Sequence, residues 1–330
     1  MSLRHAANGG HIFRLGPVRA ATIRDGELLV EEHPDPEPGA GQVLVRVRGA
    51  GINGADMLQR RGRYPAPPGS PQDIPGLELA GDVIALGPGA TRFAEGDRVM
   101  GIVGGGGQAE LATVHERQLM PVPEAVDLPD AGGLPEVFTT AHDALFTQAA
   151  LRPGERLLVH GAAGGVGTAG VQLAHALGAH VTATVRNPDA RDAVAQLGAD
   201  EVIDPDGFEE HGPFDVVLEL VGAPNLAANV KALDTLGRIV VIGIAGGAKA
   251  ELNLAILMAK RGRIMSSALR SRPLEQKADT ARALEREVLP LFERGALRVP
   301  VAQTFALDDV AAAYDHFAAG GKLGKIILVP

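Results

Sequence analysis

At 330 residues the chain is too long for one ordinary core, and 45% hydrophobic residues are enough to fill two. A net charge of −9, with two tyrosines and no tryptophan, supplies neither the basic surface nor the stacking platform of a nucleic-acid-binding protein. The absence of cysteine excludes disulfides, thiol catalysis and thiolate metal sites, and no apolar run reaches the roughly 20 residues that cross a bilayer. With no signal-like hydrophobic stretch at its start, the chain is expected in the cytoplasm, without a membrane partner.

Residues 1–17 have no period and are read as an extension outside the fold. From Arg19 the pattern becomes short strands (AATIRDG, LLVEEH, QVLVRVRGAGI) separated by Pro- and Gly-rich turns. Residues 53–62 read as a helix capped by Asn53, with Asp56 in its first turn and Gly62 past its end. The five prolines of residues 64–75 exclude regular structure and predict an ordered loop, and residues 101–107 a flexible glycine loop between strands. Residues 134–151 have helical spacing and lead into the turn Arg152-Pro153-Gly154.

Residues 156–186, RLLVHGAAGGVGTAGVQLAHALGAHVTATVR, read as strand, glycine turn, helix and second strand, a parallel βαβ unit. Within it Ala162-Ala163-Gly164-Gly165-Val166-Gly167 fits G-x-G-x-x-G with Ala in the first place. Gly164 lets the backbone approach a pyrophosphate, Gly167 lets helix and strand pack closely, and the helix amino end offers free N–H groups to the phosphates. An NAD site places an acid about 20 residues beyond the glycines; here Arg186 and Asn187 follow the second strand. A guanidinium fits a 2′-phosphate, so NADPH is the expected cofactor. Strands and helices keep alternating through residues 196–270. A long helix over 274–294, a strand at 299–305, a short helix at 308–319 and an end strand at 325–329 follow, the last expected to return to the first domain's sheet.

Five stretches, AGINGADMLQRRGRYPAPPG, IPGLELAGDV, LLVHGAAGGVGTAGVQLA, KRGRIMSSALRSR and LGKIIL, together resemble the zinc-free quinone oxidoreductase branch, including zeta-crystallin, of the medium-chain dehydrogenase/reductase superfamily. The resemblance spans residues 19–330. It implies an α/β protein in which a Rossmann doubly wound parallel sheet, residues 139–270, is inserted in a GroES-like β-rich catalytic domain, residues 1–138 and 271–330. It further implies a homodimer joined through the Rossmann sheets. Zinc-dependent cousins carry Gly-His-Glu where this chain has Gly76-Leu77-Glu78, so no metal site is expected. Without a Lewis acid to stabilise an alkoxide, reduction of electron-poor quinones or α,β-unsaturated carbonyls is favoured over alcohol oxidation. The same resemblance makes Asn53 and Tyr64 hydrogen-bond donors to the substrate oxygen and sets Thr140, Val221, Gly222, Gly243, Ile244 and Leu269 beside the cofactor. Family members hold the NADPH phosphate with a Lys and a Tyr whose places here fall at about Ala190 and Pro205, which leaves more of that contact to Arg186. An enoyl reductase and a non-catalytic NADPH-binding protein are the competing readings.

Overall fold

The computed structural model describes residues 16–330, so the expected extension lies, but for its last two residues, outside the described chain. Strands β1 (Val18–Arg24) and β2 (Glu27–His33) pair as an antiparallel hairpin. Its two-residue turn, Asp25-Gly26, has positive φ at both positions, the geometry that matches strand twist. Strands β3 (Gln42–Gly51), β4 (Glu78–Leu86), β5 (Arg98–Ile102), β6 (Leu111–His115) and β7 (Leu119–Pro121) form the β-rich half, with helix Gly54–Arg60 between β3 and β4.

The inserted half alternates as its residue pattern requires. Strands β8 (Arg156–Val159), β9 (His180–Thr184), β10 (Glu201–Ile203), β11 (Phe214–Glu219), β12 (Leu233–Val241) and β13 (Arg263–Ser266) are all parallel, in the order β10-β9-β8-β11-β12-β13. This is the doubly wound order, and it reverses direction beside β8. Leu157, Val159, Val181, Val216 and Leu218 are buried because a parallel sheet is covered on both faces. Strands β14 (Val301–Ala306) and β15 (Lys325–Val329) then rejoin the first half, β15 pairing antiparallel with β3 in a seven-stranded sheet.

Three local expectations are refined. The long helix breaks after Glu287 and resumes over Leu289–Glu293, because Pro290 has no N–H to donate and its ring clashes with the carbonyl four residues back. The glycine loop is not loose but buried nearly throughout: a Cβ on Gly104 would lie 2.1 Å from Ser70 Oγ, and one on Gly107 would lie 2.7 Å from the Glu78 carbonyl. Its glycines serve close approach rather than flexibility. The division expected after residue 138 falls inside helix Pro135–His142, which packs in the seam between the halves, where Phe138 meets Phe292 edge to face at 4.8 Å.

Candidate active site

On the cofactor side, β8 ends at Val159 and the chain turns through Gly161 (φ 62°) into helix Gly165–Leu177. Thr168 is the first amide to bond back within the helix, to the Gly164 carbonyl at 2.8 Å. The amides of Gly165, Val166 and Gly167 therefore have no acceptor in the helix, and with the dipole they make its amino end a place for phosphate. A Cβ on Gly167 would fall 2.5 Å from the Gly161 carbonyl oxygen and 2.6 Å from Ala162 Cα, so only glycine lets helix and strand approach this closely. Ala162 is buried, and the Ala163 carbonyl accepts the Gly324 amide at 2.8 Å, which ties this turn to the end of the chain.

The other expected cofactor residues lie on successors of parallel strands. Arg186 follows β9, Val221 and Gly222 follow β11, Gly243 and Ile244 follow β12, and Leu269 lies beyond β13. Thus the glycine turn and these residues gather at the carboxyl ends of five strands, the edge at which open α/β sheets bind ligands. Thr140, the exception, is buried on helix Pro135–His142. A Cβ on Gly243 would meet the Leu220 carbonyl at 2.1 Å, so glycine is required where the β11 and β12 turns converge.

A buried chain of polar groups braces this edge. Glu219 Oε1 accepts the amides of Val221 (2.6 Å) and Gly222 (2.8 Å), while its Oε2 accepts Asn229 Nδ2 at 2.6 Å. Asn229 Oδ1 in turn lies 2.8 Å from His160 Nε2, so that nitrogen carries the proton. Burial foremost lowers the His160 pKa and favours the neutral ring. Past β9, Arg186 is exposed and makes no ion pair with a described residue. Asp204 at the end of β10 is held by Arg191 at 2.7 Å and does not occupy the Arg186 guanidinium.

The expected acceptor side is built by β3, helix Gly54–Arg60, the proline loop and β15. Asn53 opens the helix and donates its backbone N–H to Asp56 at 2.8 Å. Its side-chain amide is also engaged, donating to Glu78 Oε1 (2.9 Å) and the Gly51 carbonyl (3.3 Å) and accepting from Lys325 Nζ at 2.7 Å. Lys325 and Glu78 form a buried ion pair at 2.7 Å, and the Ile52 carbonyl also accepts from Lys325. A charged pair this deep is kept by its additional hydrogen bonds, and removing one partner costs about 3–5 kcal/mol. Glu78 Oε2 accepts the backbone N–H of Glu136 at 2.8 Å.

The Glu136 carboxyl has a buried oxygen without a hydrogen-bond partner, and burial followed by the negative charge of Glu78 pushes it up to about 8. Asp56, accepting from Asn53 and Gly76 amides, is pushed up to about 7, again by burial first. Tyr64 is half-buried, with Arg270 stacked over its ring at 5.0 Å, and its hydroxyl makes no hydrogen bond to a described residue. Burial raises its pKa, so it remains a donor at neutral pH.

Glu78, Glu136, Arg270 and Lys325 were not singled out by the sequence pattern, although Glu78 and Lys325 carried a signal. Each is a charge that opens a largely apolar strand and is followed by buried residues, an arrangement that calls for a partner. The identity of the partner is tertiary information.

Comparisons with known proteins agree with this architecture. Residues 39–124 match the alcohol dehydrogenase GroES-like domain and residues 165–286 the zinc-binding dehydrogenase family. A quinone oxidoreductase of Rattus norvegicus is 33% identical over 89% of this chain and 91% of its own length. One of Pseudomonas aeruginosa is 35% identical over 92% of this chain and 95% of its own. The crystal structure of an alcohol dehydrogenase superfamily protein from Novosphingobium aromaticivorans superposes with a TM-score of 0.84 at 30% identity, covering 95% of this chain and 99% of that one.

The residues fit the two groups these relatives imply to different degrees. The glycine cradle and the free amides of the helix suit a nicotinamide dinucleotide. Zinc does not fit the acceptor side: the chain has no cysteine, Leu77 is packed in the core, and both Glu78 oxygens are engaged by an ammonium, an amide and a backbone N–H.

Proposed function

Because the chain belongs to the quinone oxidoreductase branch of the medium-chain dehydrogenase/reductase superfamily, and is an oxidoreductase of a small molecule with a nicotinamide cofactor, we propose that it uses NADPH to reduce quinones or α,β-unsaturated carbonyls without a metal. The observation that carries the cofactor choice is the unpaired guanidinium of Arg186 at the end of β9, where an NAD site would have a carboxylate. When bound, the cofactor supplies a hydride from nicotinamide C4.

The chain's own residues hold and orient. Turns at the carboxyl ends of β8, β11 and β12 would hold the dinucleotide, with Thr140 and Leu269 beside it. Bringing donor and acceptor to about 3–3.5 Å supplies much of the acceleration, which suits a site without an electrophilic metal. Tyr64 is the better-placed donor to the acceptor oxygen, because its hydroxyl is free. The Asn53 amide hydrogens already go to Gly51 and Glu78, so it must give one up to donate to a substrate. The exposed side chains of Leu236, Ile244, Leu254, Met258 and Ile264, on or beside the β12 and β13 edge, support a homodimer through the Rossmann sheets.

Two measurements test this reading. NADPH oxidation should proceed with a panel of quinones and enones after exhaustive chelation; no turnover with any acceptor would leave a binding protein. Arg186→Glu should weaken NADPH by tenfold or more and change NADH little, since it removes one charge-assisted contact and adds repulsion. Equal losses for the two cofactors would contradict the assignment.

A further inference from the structure

Arg270 follows Leu269 in the segment leaving the last parallel strand, and its guanidinium crosses the seam into the other half of the molecule. It is 2% exposed. Nε donates to the Gly104 carbonyl at 2.8 Å, Nη1 to the Tyr64 carbonyl at 2.9 Å, and Nη2 to Gln59 Oε1 at 2.5 Å. Those three acceptors belong to the glycine loop, the proline loop and helix Gly54–Arg60, which are separate in sequence and share no strand. The guanidinium also lies over the Tyr64 ring at 5.0 Å. No carboxylate bonds it, so its charge is offset by two carbonyls, an amide oxygen and a ring face, at a desolvation cost that lowers its pKa.

We infer that Arg270 is the positioning residue of the acceptor site: one guanidinium, delivered by the cofactor half, fixes the backbone of Tyr64 and Gly104 and the end of Gln59 relative to the nicotinamide position. A lysine cannot replace it, because an ammonium has no rigid planar fork to reach three acceptors in different directions. Loosening the Tyr64 backbone shifts its hydroxyl and the acceptor with it, and a misplacement of about 1 Å costs on the order of 100-fold in rate. The inference rests on the proposed reductase activity for its kinetic part only.

Arg238 supplies the control. It is a similarly buried guanidinium, 7% exposed, that bonds the Ala149 and Ala150 carbonyls and Glu155 wholly within the inserted half. Full-length Arg270→Lys and Arg238→Lys are compared by amide hydrogen exchange, by NADPH affinity and by acceptor kinetics. In Arg270→Lys, exchange should rise in residues 62–76 and 103–108, where Gly106 and Gln108 bond Ile74 and Pro75, and not in the glycine turn of residues 161–168. NADPH affinity should hold within about twofold, while acceptor kcat/KM falls by 10- to 100-fold; Arg238→Lys should neither raise exchange in those two loops nor lower acceptor kcat/KM. Gln59→Met deletes one acceptor and spares the guanidinium, but it also removes the Gln59 bond to the Gln72 carbonyl; it is therefore read only in residues 103–108, where exchange should rise by less than in Arg270→Lys, and it carries the test if Arg270→Lys does not fold. Unchanged exchange in the two loops, or an equal kinetic loss in Arg238→Lys, overturns the inference. If the wild type reduces no acceptor, the functional reading fails, and the exchange comparison still decides whether Arg270 holds the loops.

Discussion

Tyr64 has a free hydroxyl, a half-buried ring stacked by Arg270 and a backbone held by the same guanidinium, a combination that suits a proton-donating contact rather than a loop anchor alone. Tyr64→Phe removes only the hydroxyl. If its bond strengthens as negative charge develops on the acceptor oxygen, turnover should drop by roughly ten- to a hundredfold with NADPH affinity unchanged. A fully active Tyr64→Phe with both acceptor classes would assign the proton to solvent. Glu136 makes a different prediction, about stability. Its carboxyl titrates near 8 in the fold, raised by burial and by Glu78 against the opposing effect of Lys325, and near 4.5 when unfolded. Between those values the folded chain holds a proton that the unfolded chain has lost. Its contribution is thus complete below about pH 4.5 and is lost as pH rises through about 8, at a slope of at most about 1.4 kcal/mol per pH unit. Glu136→Gln, a neutral mimic, should gain on the wild type in denaturant titrations as pH goes from 5 to 8. A constant difference across that range would show that Glu136 is ionised throughout.

The glycine turn shows how an element depends on backbone approach. Gly167 has no room for a methyl group, since both of its close neighbours are backbone atoms that cannot swing away. Gly167→Ala should therefore destabilise by about 1–3 kcal/mol and weaken NADPH more than tenfold, as read by thermal melting and cofactor titration. Normal affinity would mean that the turn does not hold the pyrophosphate. This element was legible in the sequence because its strand, glycines and helix are consecutive, and local periodicity carries the information. End strand β15 was legible for the same reason, as an apolar run after Gly324. The helix break at Pro290 is readable from that proline, whose effect on the backbone outweighs the longer helical period. The packing of residues 104–107 against Ser70 and Glu78 was not readable, because glycine-rich composition fits a mobile loop and a tightly packed one equally well. Nor did any local pattern show that Lys325 would meet Glu78 and Asn53, or that Arg270 would reach three other segments.

At the scale of the whole molecule, the proposed site lies where the inserted parallel sheet and the enclosing, mainly antiparallel one meet. The proposed cofactor turns all come from the first, whereas the proposed acceptor contacts Asn53 and Tyr64 come from the second. Among the connections that hold them in register are the Gly324 amide on the Ala163 carbonyl, the Arg270 fork, and the apolar seam in which Phe138, Leu173, Leu284 and Phe292 are buried. Lys325, one residue beyond Gly324, sets its ammonium against Glu78 and Asn53, so the closing strand touches the cofactor turn and the acceptor side within two residues. Direct hydride transfer across that seam, without a metal, is the central claim. It is tested by supplying NADPH carrying deuterium at both C4 positions to exhaustively chelated protein with an enone acceptor and analysing the reduced product by mass spectrometry. The account predicts continued turnover and one deuterium at the β-carbon of each product molecule. A product without deuterium, or turnover that stops on chelation and returns with zinc, would contradict it.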